Sequence, residues 1–175
     1  MVNEDAAATG GATRDVTMAE PAWRPSARAP ALWAINAALM WIPVVIAQVV
    51  WAVLDGDRTE AHLAAAAATV VLAGLHIGVV PLWRYRVHRW EISDTAVYTR
   101  SGWFTQERRI APISRIQTVD TERGPIDRWL GLATVTVTTA SSAGAVEISA
   151  LDAEVADHTV ARLTAIAGRD GADAT

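Results

Sequence analysis

The stretch 32-LWAINAALMWIPVVIAQVVWAVL-54 carries no formal charge, and 62-HLAAAAATVVLAGLHIGVVPLW-83 repeats the pattern with no Asp, Glu or Arg. Each is about as long as the roughly 20 apolar residues that cross a hydrocarbon core of about 30 Å. Only the polar turn 55–61 (Asp55-Gly56-Asp57-Arg58-Thr59-Glu60-Ala61) separates them. Backbone groups in lipid must be satisfied within their own segment, so both stretches are expected to be helical. Residues 31–83 therefore read as a transmembrane hairpin with spans at about 32–54 and 62–83. Two core helices of a soluble protein would need more apolar mass around them than the rest of the chain supplies.

Arginine sets the expected orientation. Arg24 and Arg28 precede the first span, and Arg84, Arg86 and Arg89 follow the second, whereas the turn holds Arg58 alone. Basic flanks face the cytoplasm, so the expected protein is multi-pass in the cell (plasma) membrane with both termini cytoplasmic. Trp33, Trp51 and Trp83 fall near span ends, where indole rings favour the interface. Gly74 and Gly78 form a small-xxx-small pair with His76 between them. That pair admits a helix-packing or dimer seam with a titrating His76, or ordinary glycine packing beside a contact histidine.

Residues 1–30 are rich in Ala, Gly, Thr, Asp and Glu without a strand or helix period, and are expected to be a disordered cytoplasmic tail. The apolar run begins too late and runs too long for a signal peptide. After Trp83 the period shortens. Runs at 90–93, 97–100, 103–110 and 113–119, broken by turn residues, read as an antiparallel meander. Ala133–Thr139 alternates valine with threonine and is followed by a hairpin loop at 140–144 and a return strand at 146–149. From Asp152, a plausible N-cap, a helical period follows, with Ala156, Val160, Leu163 and Ala167 on one face and Val155 and Ile166 beside it. Residues 84–167 thus form a β domain closed by one helix, and 168–175 a frayed tail.

Composition excludes several chemistries. The chain has no cysteine, which removes disulfides, thiol catalysis and cysteine-based zinc sites. A net charge of -4 opposes bulk attraction to nucleic acid. His62, His76, His88 and His158 lack metal-ligand spacing, no nucleophile elbow surrounds Ser141 and Ser142, and no phosphate-binding glycine loop occurs. No enzyme, cofactor or metal is expected. Basic residues concentrate between 84 and 130 and acidic ones beyond, which fits either contact with anionic lipid or the topology rule alone. Arg100, Arg108 and Arg109, around one hairpin, are the candidate lipid or partner contacts.

The motifs resemble a known family. Arg84-Tyr85-Arg86, Trp90-Glu91-Ile92 and Arg100-Ser101-Gly102-Trp103-Phe104 look like the opening of a bacterial pleckstrin-homology-like domain. Arg115-Ile116-Gln117-Thr118-Val119-Asp120 and 124-GPIDRWLGLA-133 are similar to its later motifs. Two spans before such a domain resemble the YdbS-like membrane proteins, over about 32–167. The resemblance implies an all-β PH-like fold, two packed antiparallel sheets with a C-terminal α-helix. It also implies a membrane-protein partner carrying several such domains. Arg115, Gln117, Gly124, Pro125, Arg128 and Gly131 are the motif residues. Read physically, Gly124 and Pro125 turn the chain, Trp129 and Leu130 plug apolar surface, Gly131 permits a tight strand entry, and Arg115 and Arg128 hold loop carbonyls. The expected role is a protein-binding or scaffold subunit at the membrane face, in a hetero-complex or homo-oligomer. The alternative is an anionic lipid headgroup sensor.

Overall fold

The computed structural model describes residues 21–102, 105–140 and 144–172, with side chains through 168. Helix α1 (Ala29–Leu54) runs antiparallel to a continuous helix at Thr59–Val87. The latter comprises α2 (Thr59–Gly74), a π turn (Leu75–Val79) and α3 (Val80–Val87). Both helices exceed the expected spans, α1 by residues 29–31 and the second helix by 59–61 and 84–87. Only 6% of the apolar window of each is buried within the chain, the opposite of a soluble core helix. Side chains such as Ile46, Val53, Val70 and Leu72 instead lie open on the outside.

Polar side chains inside the hairpin pair with one another. Gln48 donates to the Thr69 hydroxyl, and Trp41 Nε1 donates to His76 Nδ1 at 3.1 Å. In lipid such bonds hold helices together, since apolar contact gives no preference over lipid tails. Gly74 and Gly78 do not pack against α1: a Cβ at either would meet nothing within 4 Å. The hairpin closes instead through Trp41, His76, Gln48 and Thr69.

The domain has two three-stranded antiparallel sheets. One is β1 (Arg89–Ile92), β2 (Ala96–Ser101) and β3 (Glu107–Pro112). The other is β4 (Ile116–Glu122), β5 (Leu132–Thr139) and β6 (Val146–Asp152). A short helix, α4 (Pro125–Leu130), joins β4 to β5, and α5 (Ala153–Ala172) closes the fold. The alternation of β5 buries Ala133, Val135 and Val137, which meet Ile148, Val97 and Ile113 in the main core. On α5 the buried positions are Ala156, Thr159, Leu163 and Ile166. Val155 falls outside that stripe and is 41% exposed. Trp103 and Phe104, expected on the third strand, and most of the 140–144 loop lie outside the described residues.

Residues 21–28, expected as part of the disordered tail, are a strap packed on the domain. Trp23 and Trp90 exchange backbone hydrogen bonds at 3.0 and 2.9 Å across the outer edge of β1. The next mutually bonded pairs would involve residues 21 and 25, both prolines without an N–H, so the pairing stays a single bridge. Ser26 N–H donates to the Ala150 carbonyl, and Ser26 Oγ donates to Asp152 Oδ1 at 2.7 Å. Asp152 thus holds the strap with its carboxylate. The Arg28 guanidinium then binds the Leu130 carbonyl at 3.0 Å. Composition concealed the strap because its large groups are few: two tryptophans' worth of packing and a handful of long-range hydrogen bonds hold it, without a local period.

A second, smaller core joins hairpin to domain. Ala29, Leu32 and Trp33 from α1 meet Leu132 and Ala150, with Tyr85, Ile126 and Leu130 around them. Ala150 sits at φ 57°, beside a register shift between β5 and β6. An L-residue there costs about 1 kcal/mol, and the bulge turns its carbonyl to the strap.

Candidate functional site

The arginines expected at one hairpin have different surroundings. Arg100 is 7% exposed, and its Nε donates to the Val87 carbonyl at 3.0 Å, tying β2 to the end of α3. Arg109 pairs with Glu107 at 2.7 Å and reaches the Ala145 carbonyl at 2.8 Å, tying the two sheets. Arg108 is exposed and lies opposite Arg100 in register. Successive strand residues face opposite sides, so Arg108 and Arg109 diverge.

The motif residues have structural surroundings. Gly124 begins α4 with its N–H on Asp127 Oδ2 at 3.0 Å, and a Cβ would lie 2.7 Å from that oxygen. Pro125 occupies the first turn, where its missing N–H is harmless. Gly131 ends α4 at φ 68°, with Arg28 Nη1 only 3.1 Å from where a Cβ would be. Arg115, Gln117 and Arg128 are exposed, and neither Arg115 nor Arg128 holds a loop carbonyl among the described residues. Arg28 performs that task. Of the expected plug, Leu130 packs on the junction core, whereas Trp129 is 78% exposed.

A concavity lies elsewhere. A groove of about 690 Å³ runs between the strap, the edge strand β1 and α5. Trp23, Trp90, Ile92 and Val155 form its apolar floor, and Arg24, Glu154, His158 and Arg162 stand around it. Trp23 and Trp90 meet edge to face at 4.9 Å, and Trp90 Nε1 donates to the Arg24 carbonyl at 3.2 Å. Arg162 approaches Asp94 at 3.6 Å across the β1–β2 turn. The arrangement offers an apolar bed and charges of both signs. It offers no nucleophile–base pair, and no cluster of three His, Asp or Glu side chains fit for a metal occurs among the described residues. Sequence reading missed this groove because its walls come from three separated segments. The one visible signal was Val155, an apolar residue beside the helix stripe.

At the junction, His88 is buried. Its Nε2 meets Ser149 Oγ at 3.2 Å, its ring lies 5.5 Å from Trp33, and its Nδ1 has no partner. Arg84 stacks over the same Trp33 ring at 4.3 Å. Burial, and secondarily the Arg84 charge, push the His88 pKa down from 6.5 to about 4.

Comparison with known proteins fits this architecture. The family described as Bacterial PH domain matches residues 27–166, from the end of the strap into α5. The chain belongs to that family. The matched region includes the apolar hairpin as well as the β domain. The chain is also 35% identical over 95 residues to the UPF0699 transmembrane protein YdbS of Bacillus subtilis (strain 168). That alignment covers 53% of this chain and 58% of the relative, so it spans little more than half the length of the curated protein it matches. No solved structure matches. This bacterial PH domain protein is thus a membrane-associated PH-like module with two membrane-competent helices.

Proposed function

We propose that this bacterial PH domain protein is a non-enzymatic binding subunit that displays the groove beside β1 and α5 to a protein partner at the cytoplasmic membrane face. The observation that carries the reading is the groove itself: an apolar floor of Trp23, Trp90, Ile92 and Val155 ringed by Arg24, Glu154, His158 and Arg162, the apolar-centre, polar-rim pattern of a protein-binding surface. The partner fitting the family is another membrane protein with PH-like domains. Because strap and junction core hold the domain, partner and groove meet at a fixed height above the bilayer, and modest contacts suffice once both are confined to one surface. Arg100, buried and on the Val87 carbonyl, and Arg109, on Glu107 and the Ala145 carbonyl, give no comparable support to headgroup sensing.

A photo-crosslinking residue at Val155, in native membranes, is expected to capture one stoichiometric membrane protein, and Val155→Glu should abolish copurification of that protein. Val155 is surface-exposed, so the substitution leaves the core intact. Capture of lipid alone, or of a scatter of abundant proteins, overturns the reading.

Both helices cross the bilayer with the domain inside. The absence of cysteine gives a clean test. Gly56→Cys is expected to react with a membrane-impermeant maleimide in intact cells, and Ala161→Cys, on α5, only after lysis. Labelling of Ala161→Cys in intact cells would reverse the orientation and remove the cytoplasmic partner with it.

A further inference from the structure

We propose that Trp129 is an interfacial anchor, seated among the lipid headgroups of the leaflet that α1 enters, so that α4 docks the domain on the bilayer. The inference rests on the hairpin crossing the membrane as proposed above, and adds a contact between the β domain and lipid.

Helix lengths place the bilayer. Counting about 20 residues inward from Leu54, where the outer turn begins, ends near Ile35. The same count along the second helix, from Leu63, ends at Leu82 beside the half-exposed Trp83 and just before Arg84. The two counts agree, since Arg84 stacks on Trp33, two residues from Ile35. The hydrocarbon boundary therefore passes close to Ile35 and Leu82.

Helix α4 lies immediately outside that boundary. Ile126 and Leu130 pack with Ala29, Leu32 and Trp33, and the Leu130 carbonyl is held by Arg28. From Arg28 to Ile35 the helix rises about 10 Å, and from Leu32 to Ile35 only about 5 Å. The headgroup layer is about 5–8 Å deep on each side. Trp129, on the helix that contacts Leu32, thus comes within a side chain's length of this layer.

Chemistry selects the occupant. A tryptophan 78% exposed leaves a large apolar face in water. The headgroup layer accepts both that face and the indole N–H, which is why indoles concentrate there. Arg128 is exposed beside it and Arg28 lies at the same level, while Asp127 is turned onto the Gly124 N–H. The exposed Arg128 suits lipid phosphate. Trp83 and Leu82, both open, continue the lipid-facing surface across the neighbouring helix.

The test uses the full chain in lipid nanodiscs containing phosphatidylglycerol, with single cysteines carrying an environment-sensitive fluorophore. Val70→Cys reports the bilayer interior and Ala161→Cys bulk water. The label at Trp129→Cys is expected to shift blue relative to Ala161→Cys, to be quenched by lipids bearing a spin label near the headgroup, and to be shielded from aqueous iodide. A label at Arg128→Cys, with Trp129 retained, should lose that quenching when Trp129→Ala is added. Iodide access at Trp129→Cys equal to that at Ala161→Cys overturns the proposal. Shielding from both iodide and lipid quencher also overturns it, in favour of a protein contact. If Val70→Cys escapes deep quenchers, the spanning reading fails and takes the anchor with it; if Val70→Cys is quenched and Trp129→Cys is not, the anchor alone fails.

Discussion

Leu132→Ala is expected to destabilise the folded domain by about 3 kcal/mol, within the roughly 2–5 kcal/mol range of buried leucine truncations. Leu132 is fully buried where β5 leaves Gly131, and its neighbours come from two bodies: Ala29, Leu32 and Trp33 of the hairpin, and Ala150 of β6. Those walls cannot collapse inward easily, because α1 is held by Arg28 on Leu130 and by Arg84 over Trp33. The cavity therefore persists, and the loss lies above the simple transfer term. Chemical unfolding of the full chain in mild detergent, followed by near-ultraviolet circular dichroism, would measure it. Val155→Ala, at an exposed position, should cost under about 1 kcal/mol in the same assay. Equal effects from the two substitutions would show that the junction core is not a packed core.

Acidification is expected to weaken the same junction through His88. Its folded pKa of about 4 lies below its ordinary 6.5, so between those values the unfolded chain binds the proton more readily than the folded one. The contribution is whole above about pH 6.5 and declines as pH falls toward 4. A difference of that size corresponds to about 3 kcal/mol at 1.36 kcal/mol per pKa unit. The cause is visible in the geometry. Neutral imidazole can share one hydrogen with Ser149, whereas the imidazolium would place a second N–H at the unpartnered Nδ1 and a charge near Arg84. Carboxylates also titrate in this range, so the informative quantity is the difference between the native protein and His88→Gln. The native chain should lose more stability between pH 7 and pH 4 than the variant; parallel curves would refute the role given to His88.

How much of this was legible in the sequence depended on whether a feature was local. The two apolar helices were, since charge-free length is a property of consecutive residues, and so was β5 with its two-residue alternation. Glycine motifs were also local: Gly131 ends a helix at positive φ whatever surrounds it. Arg100, Arg108 and Arg109 show the limit. Their clustering along the chain suggested a basic patch, but burial and the Val87 carbonyl take up Arg100, and strand alternation turns Arg109 to the other face, toward the Ala145 carbonyl. Trp129 was assigned a burial that Leu130 alone performs, because periodicity over a six-residue helix does not say which side meets α1. The groove and the strap were illegible for the same reason: their contacts join residues such as Ser26 and Asp152, separated by 126 positions.

That separation orders the assembly of the molecule in time. Synthesis delivers Ser26 and Arg28 first, yet the groups they bind, Leu130, Ala150 and Asp152, come from the last third of the chain. A segment cannot dock on a surface that has not been made, so the strap is among the last contacts to close on a growing chain. The hairpin eases this step. By returning the chain to the side it left, it brings Trp33 to Arg84 before the β domain folds and shortens the loop left to close, a saving of under about 1 kcal/mol because the cost grows only with the logarithm of length. The contacts that finish the protein consequently join early and late portions of the chain, and a chain truncated before β6 would leave Ser26 without the Ala150 carbonyl and the Asp152 carboxylate that hold it.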